Sequence, residues 1–281
     1  MLATSNSQQR LFNLFILFLL CAGAIVAIAP LLYMITTAFK GLAFVQEGPP
    51  LLIPQEFSLE NFQTAFASRN FGRALLNSAF VAVSTTLLVT ALSSTMAYAF
   101  ARFDFAGKNT IYGALLLMLM IPGIVLLIPQ FILAKNFGLL NSLAGLILVY
   151  SAGPLAFNTF LLRGFFENLP RELEESAVID GADAFTVFRR IMLPLAAPAV
   201  STVAVFSFLG AWDEYVLALN FLSDENLRTL PIAIANFRGA NATNWGLVFA
   251  GSLTAVLPTV LLFVFFQRYF IQGITSGAVR G

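Results

Sequence analysis

Charged residues punctuate this chain and leave long uncharged runs between them. Such runs span 11–39, 74–101, 109–134, 136–162 and 239–267. A further run from 191 to 212 resumes after Asp213 and Glu214 and reaches 223. A helix needs about 20 residues to cross roughly 30 Å of hydrocarbon. Each run therefore predicts one membrane-spanning helix, six in all. The apolar residues are continuous rather than alternating, which argues against a transmembrane barrel. Pro122-Gly123 and Pro129 interrupt the third run. In lipid such breaks persist where neighbours or water satisfy the freed carbonyls. They predict a kink in an otherwise single crossing, with a gate or hinge as the alternative.

Composition supports the same class. Of 281 residues, 59% are hydrophobic and only 10% charged, where a soluble domain carries about a quarter. The net charge of +1 points to no nucleic-acid partner. One cysteine, Cys21, excludes a disulfide within the chain and a cysteine metal cluster. The absence of histidine removes the commonest metal ligand and the usual general base, so no metal site and no catalytic residues are assigned. Arg10 ahead of the first apolar run mimics a signal peptide. The run is too long for an h-region and reads as an uncleaved first helix. With the N-terminus inside, nine Lys and Arg fall in inner segments and six in outer ones. That bias predicts both termini in the cytoplasm.

Three connections are long: 41–70, 163–194 and 223–245. The first carries Pro49, Pro50 and Pro54, then a short helix with Ser58 as its cap. The second, cytoplasmic, concentrates charge in "NLPRELEESAVIDGADAFTVFRRIMLP". Pro170 suits a first helical position, and Glu172, Glu174 and Glu175 suit the positive end of a helix dipole. Leu173, Ala177 and Val178 form an apolar stripe. Gly181 can end that helix in a left-handed conformation, and Asp183 can cap a second one. Phe185, Phe188, Ile191 and Met192 make the second helix amphipathic, with Arg189 and Arg190 near its C-terminal end. Pro194 restarts the chain as a membrane helix. Two readings stand: a docking plug for another protein, or a solvated linker lying on the membrane.

The spacing Glu175-Ser176-Ala177, Gly181, Ile191, Leu193-Pro194 resembles the cytoplasmic coupling motif of binding-protein-dependent ABC importers. That motif reads Glu-Ala-Ala, three residues, Gly, nine residues, Ile, one residue, Leu-Pro; Ser176 replaces its first Ala. "NSAFVAVSTTLLVTALSSTMAYAFARFDFAGK", "MIPGIVLLIPQFILAKNFGLLNS", "RTLPIAIANF" and "QRYFIQGITSGAVRG" resemble the carbohydrate-importer branch, in particular the second maltose-type permease subunit. The resemblance implies an all-α, type I ABC importer permease in a bacterial inner membrane. Residues 1–70 would hold the first helix and an external loop, 71–270 the transmembrane core with the coupling loop 163–194, and 271–281 a cytoplasmic tail. It implies a second permease subunit in a heterodimer, two cytoplasmic ATPase subunits and an external solute-binding protein. The cargo would be a sugar or glycoside, such as a disaccharide or glucosylglycerol. Glu172, Glu175, Ser176, Ala177, Asp180, Gly181, Ile191, Leu193 and Pro194 would form the ATPase contact, with the tail from Gln272 as a second one. The loop is then expected to pack on another protein rather than on its own bundle.

Asp213 and Glu214 are the only acids well inside an apolar run. Ionisable residues at that depth usually face a cavity or a partner. Asn220, seven residues after Asp213, would share its face. These three, with Pro122 and Asn158, are the candidate translocation path. The alternatives are snorkelling or a structural pair for the acids, and interhelical glue for Asn158. No G-x-x-x-x-G-K-[ST] sequence is present, so ATP and magnesium are expected on the partner ATPase subunits, with no cofactor here. The competing class is an ion-coupled secondary transporter using Asp213 and Glu214; a membrane enzyme would need more convergent ionisable groups.

Overall fold

The structure is a computed structural model and describes residues 6–41, 57–68, 70–239 and 243–278, with side chains from 9 to 267. Among the described residues it is helical, apart from an isolated bridge between Arg238 and Thr243. The chain divides into two compact units, Met1–Arg69 with Ile234–Val256, and Asn70–Ala233 with Leu257–Gly281.

The first unit holds α1 (Asn6–Ala38), α2 (Glu60–Ala67) and the start of α12 (Trp245–Ala278). Its fixed point is Asn61, fully buried, whose Nδ2 donates to the carbonyls of Ala38 and Lys40 at 3.0 and 2.6 Å. Those carbonyls are the orphans that any helix C-terminus leaves, so a side chain 21 to 23 residues away closes α1. Phe39 stacks on Phe57 beside it, and Tyr33 meets Phe249 edge-on. Ser58 accepts from the Glu60 amide. The stretch with Pro49, Pro50 and Pro54 lies outside the described residues.

The second unit is a bundle of α3 (Phe71–Arg102), α6 (Leu143–Glu167) and α10 (Ala197–Trp212), with α3 packed along α6 and α10 against both. Small residues are buried along these helices: Ala82, Thr85, Ser93 and Ala97 on α3, Ser151 and Thr159 on α6. In lipid, close approach of backbones and dispersion replace the hydrophobic drive between helices, which favours such residues. Large apolar side chains are instead turned outward, among them Phe15, Leu20, Leu87, Leu148 and Leu257. Gln9–Ala38, Phe71–Arg102, Leu143–Glu167 and Trp245–Gln267 are each long and apolar enough to cross a membrane.

The third and fifth apolar runs do not form single straight crossings. α4 (Lys108–Met118) and α5 (Leu127–Asn136) meet at 98°, with a 3₁₀ turn, Gly123–Leu126, between them. The expected kink is therefore a full break. Pro122 has no N–H to continue the ladder and adopts ψ 128°, after three tightened i−3 bonds end α4. Pro129 causes no break, because it sits in the first turn of α5 where no donor is required. The second bent pair, Ala184–Leu195 and Ala197–Trp212, turns by 80°. Counted as one span each, these pairs give six crossings.

Candidate functional site

The charged connection after α6 folds into an elbow of short helices. α7 (Glu172–Ile179) ends at Gly181, which has φ 87°; its N–H donates to the Val178 carbonyl at 3.0 Å. Asp183 then caps α8 (Ala184–Val187), accepting from the Thr186 amide at 3.1 Å. The Thr186 hydroxyl and amide hold the Asp183 carboxyl below the usual carboxylate range. One π-turn, Phe188–Met192, leads into α9 (Leu193–Leu195). The Leu193 amide reaches back five residues to the Phe188 carbonyl, one residue ahead of Pro194, which has no donor to give. The chain turns at Ala196 rather than at Pro194, and Pro198 opens α10. Pro170 lies before α7, which starts at Glu172, instead of at its first position.

The elbow packs on its own bundle, contrary to the expectation that it would engage only a partner. Ala177, Val187 and Met192 are buried with Ala97, Tyr98 and Ala101 of α3, Leu162 and Phe166 of α6, and Ala199 and Val203 of α10. Ile191 and Phe188 pack on the rim of that core. Of the expected stripe only Ala177 turns inward; Leu173 and Val178 are exposed. Helical periodicity named an apolar side without saying which of its edges the bundle would cover. Glu174 pairs with Arg102, and its other oxygen accepts from the Tyr98 hydroxyl at 2.8 Å. Arg102 also donates to the Leu169 carbonyl at 2.8 Å. Glu172, Glu175, Ser176, Asp180, Gly181 and Pro194 are exposed, Ile191 and Leu193 half-buried. Phe185 and Ile179 stand out, 65% and 86% exposed.

The other end of the bundle holds a cavity of about 320 Å³. The break between α4 and α5, α6, α10 and the start of α11 (Val216–Phe221) wall it. Its polar lining is Gln130, Tyr150, Ser207 and Glu214, set among Leu126, Phe206, Pro154 and glycines. α10 ends at Trp212, and Glu214 turns back to cap α11: its Oε1 accepts from the Leu217 amide at 2.6 Å and its Oε2 from the Ala218 amide at 3.0 Å. The Tyr150 hydroxyl donates to the same Oε2. Asn158 is buried and donates to Ser207 at 3.1 Å, directly behind the cavity wall.

Of the candidate path residues, the structure thus brings Glu214 to the cavity, with Asn158 one bond behind it. Pro122 is outside the lining but precedes Gly123, which is in it. The shared face of Asp213 and Asn220 does not exist. The helix stops between them, Asp213 is exposed, and Asn220 donates to the Val216 carbonyl of its own turn. Arg102, Tyr98 and Tyr150 carry geometry that sequence reasoning missed. Their partners lie 64 to 76 residues away, where no local pattern reports them. The tail from Gln272 has a described backbone, helical to Ala278, but its side chains lie outside the described residues.

A helical bundle with two broken crossings, a half-open cavity and a charged elbow has the fold of an ABC importer's membrane subunit. Its structure superposes on a crystal structure of a bacterial ABC transporter involved in import of the acidic polysaccharide alginate, with TM-score 0.82 and 22% identity. The match covers 96% of this chain and all of the other. Residues 90–276 match the family described as the binding-protein-dependent transport system inner membrane component. The chain belongs to that family. It is 34% identical over 276 residues to the diacetylchitobiose uptake system permease protein NgcG of Streptomyces coelicolor, covering 98% of this chain and 91% of that one. It is 36% identical over 257 residues to the trehalose transport system permease protein SugB of Mycobacterium tuberculosis, covering 91% and 93%. Family membership overturns the ion-coupled carrier as an alternative.

Proposed function

We propose that this chain is one permease subunit of an ATP-driven importer in a bacterial inner membrane, with both termini cytoplasmic. It passes a neutral sugar or glycoside handed over by an external solute-binding protein. It works beside a second permease subunit and two cytoplasmic ATPase subunits, which bind ATP and magnesium; this subunit itself catalyses nothing. The coupling loop 163–194 is the ATPase contact, and the outward residues Glu172, Glu175, Ser176, Asp180 and Gly181 are its face, with Ile191, Leu193 and Pro194 holding the elbow's shape. Two similar permeases are named for sugars, which supports a carbohydrate cargo. The observation that carries the substrate class is the cavity lining: one carboxylate, an amide and two hydroxyls, with no cation among the lining residues. Such a wall donates and accepts hydrogen bonds but offers an anion no positive charge, and its carboxylate repels one. Glu214, Asn158 through Ser207, and the Pro122 break would then bound the path, and Asp213 its rim.

The test is purification of the chain co-expressed with its partner genes, followed by reconstitution into liposomes. An ATPase should co-purify in fixed ratio. Uptake should require ATP and the binding protein, and persist with an ionophore. The cognate binding protein should show thermal shifts with members of a panel of trehalose, melibiose, raffinose and diacetylchitobiose. Uptake that survives without ATP but collapses with the ionophore sinks the proposal.

A further inference from the structure

Resting on the ATPase-contact reading, we propose that Arg102 and Tyr98 are positioning residues that pin α7 to the cytoplasmic end of α3. The ATPase stroke then reaches the bundle as a movement of α3 and not as a bending of the loop. Three observations meet here. Arg102 bridges two parts of the connection, the Glu174 carboxylate on α7 and the Leu169 carbonyl just before it. The Arg102 and Glu174 side chains are only 7% and 15% exposed, so the pair is screened little by salt. Tyr98 is the second point of attachment. Its hydroxyl holds Glu174, and its ring packs on Phe166 of α6 at 5.7 Å and on Phe188 of the π-turn at 5.0 Å.

The arrangement separates the carboxylates of α7 by role. Glu172 and Glu175 face outward, and Glu174, between them, faces in. A helix held only by Ala177 could slide, because a methyl group has no directional partner. Glu174 takes a hydrogen bond from Tyr98 and an ion pair from Arg102, two side chains of α3 one turn apart, which fixes both register and tilt. A solvated loop needs no such fixing, since nothing pushes on it.

The experiment uses the full transporter with spin labels at Arg171→Cys, beside α7, and Leu87→Cys, on the outer face of α3, in a Cys21→Ser background. The wild-type distance between labels should be the same without nucleotide and with ATP and vanadate. In Arg102→Ala it should gain a nucleotide-dependent shift of about 1–2 Å or more, the scale of helix movements in switching proteins. Tyr98→Phe, which removes only a hydroxyl and leaves the packing, should give a smaller shift in the same direction. The exchange Arg102→Glu with Glu174→Arg, which rebuilds the ion pair but not the bonds to Leu169 and Tyr98, should bring the shift below that of Arg102→Ala. A merely structural loss would alter the distance equally in both nucleotide states. A distance that ignores nucleotide in Arg102→Ala and Tyr98→Phe, or one that already shifts in wild type, overturns the pin. Absence of any co-purified ATPase in wild type would instead overturn the contact reading.

Discussion

Removing the Glu214 carboxylate should unfold one corner of the cavity, and the size of the loss follows from its bonds. Glu214→Ala strands three donors: the amides of Leu217 and Ala218 and the Tyr150 hydroxyl. The site is part-buried, so water compensates in part. At about 1–2 kcal/mol for each stranded group, the loss is about 3–6 kcal/mol. Glu214→Gln keeps one acceptor oxygen, turns an amide towards one donor and removes the charge at the start of α11. Its loss is about 1–2 kcal/mol. Tyr150→Phe removes one bond, about 1 kcal/mol. Heating purified protein and reading the folded fraction by size exclusion should lower the midpoint by on the order of 10 °C for Ala and by a few degrees for Gln. The double variant Tyr150→Phe with Glu214→Gln should cost less than the two singles added, since both remove one shared bond. An Ala variant that melts like wild type refutes the capping role. A Gln variant that melts like wild type but takes up nothing refutes it differently, because it makes the charge itself the working part.

Gly145→Ala should cost about 1–3 kcal/mol, because a methyl there runs into the Leu139 carbonyl and must open the turn between α5 and α6; the same heating assay reads it. Gly181→Ala should lose about 1–2 kcal/mol of elbow stability from its left-handed backbone, with open space around it. Gly181→Pro should abolish uptake, because the ring forbids that φ and deletes the bond to Val178; normal uptake by the Pro variant would contradict this. At Asp183 the folded carboxyl titrates below its unfolded value. Its contribution is therefore present above the unfolded value of about 3.9 and lost as pH falls through the folded one. Asp183→Asn, an equally good cap, should leave neutral stability unchanged and flatten the acid limb of a melting-against-pH series.

What the sequence disclosed was local. Gly181 and Asp183 announce a helix stop and a helix start within three residues of their partners, and a chain of any fold would use them so. The long apolar runs likewise forecast the four unbroken crossings, since length and hydropathy alone set that requirement. The two bends were hidden for different reasons. At Pro122 the sequence showed the missing donor but not whether neighbours would hold the helix straight. At Ala196 the visible proline, Pro194, is absorbed by the π-turn, and the break falls two residues later. The Asp213–Asn220 argument assumed a continuous helix, which Glu214 ends by folding back to cap the next one. The ion pair of Arg102 with Glu174 joins residues 72 positions apart, beyond the reach of any spacing rule.

The elbow and the cavity lie at opposite ends of the same two helices. α10 runs from the turn at Ala196 to Trp212, just before Glu214; at 1.5 Å per residue its sixteen residues span about 24 Å. α6 contributes Leu162 and Phe166 to the elbow's core and Tyr150 to the cavity. Their interface carries the buried Asn158–Ser207 bond directly behind the cavity wall. Close-packed interiors shift between discrete arrangements and do not deform smoothly. Under the proposed ATPase contact, a load on the elbow's outer face would arrive at the cavity as a displacement of its walls, which the Tyr150–Glu214 bond ties to each other. α3, which carries Tyr98 and Arg102 at the elbow, packs along both of these helices, so a movement of α3 bears on α6 and α10 together.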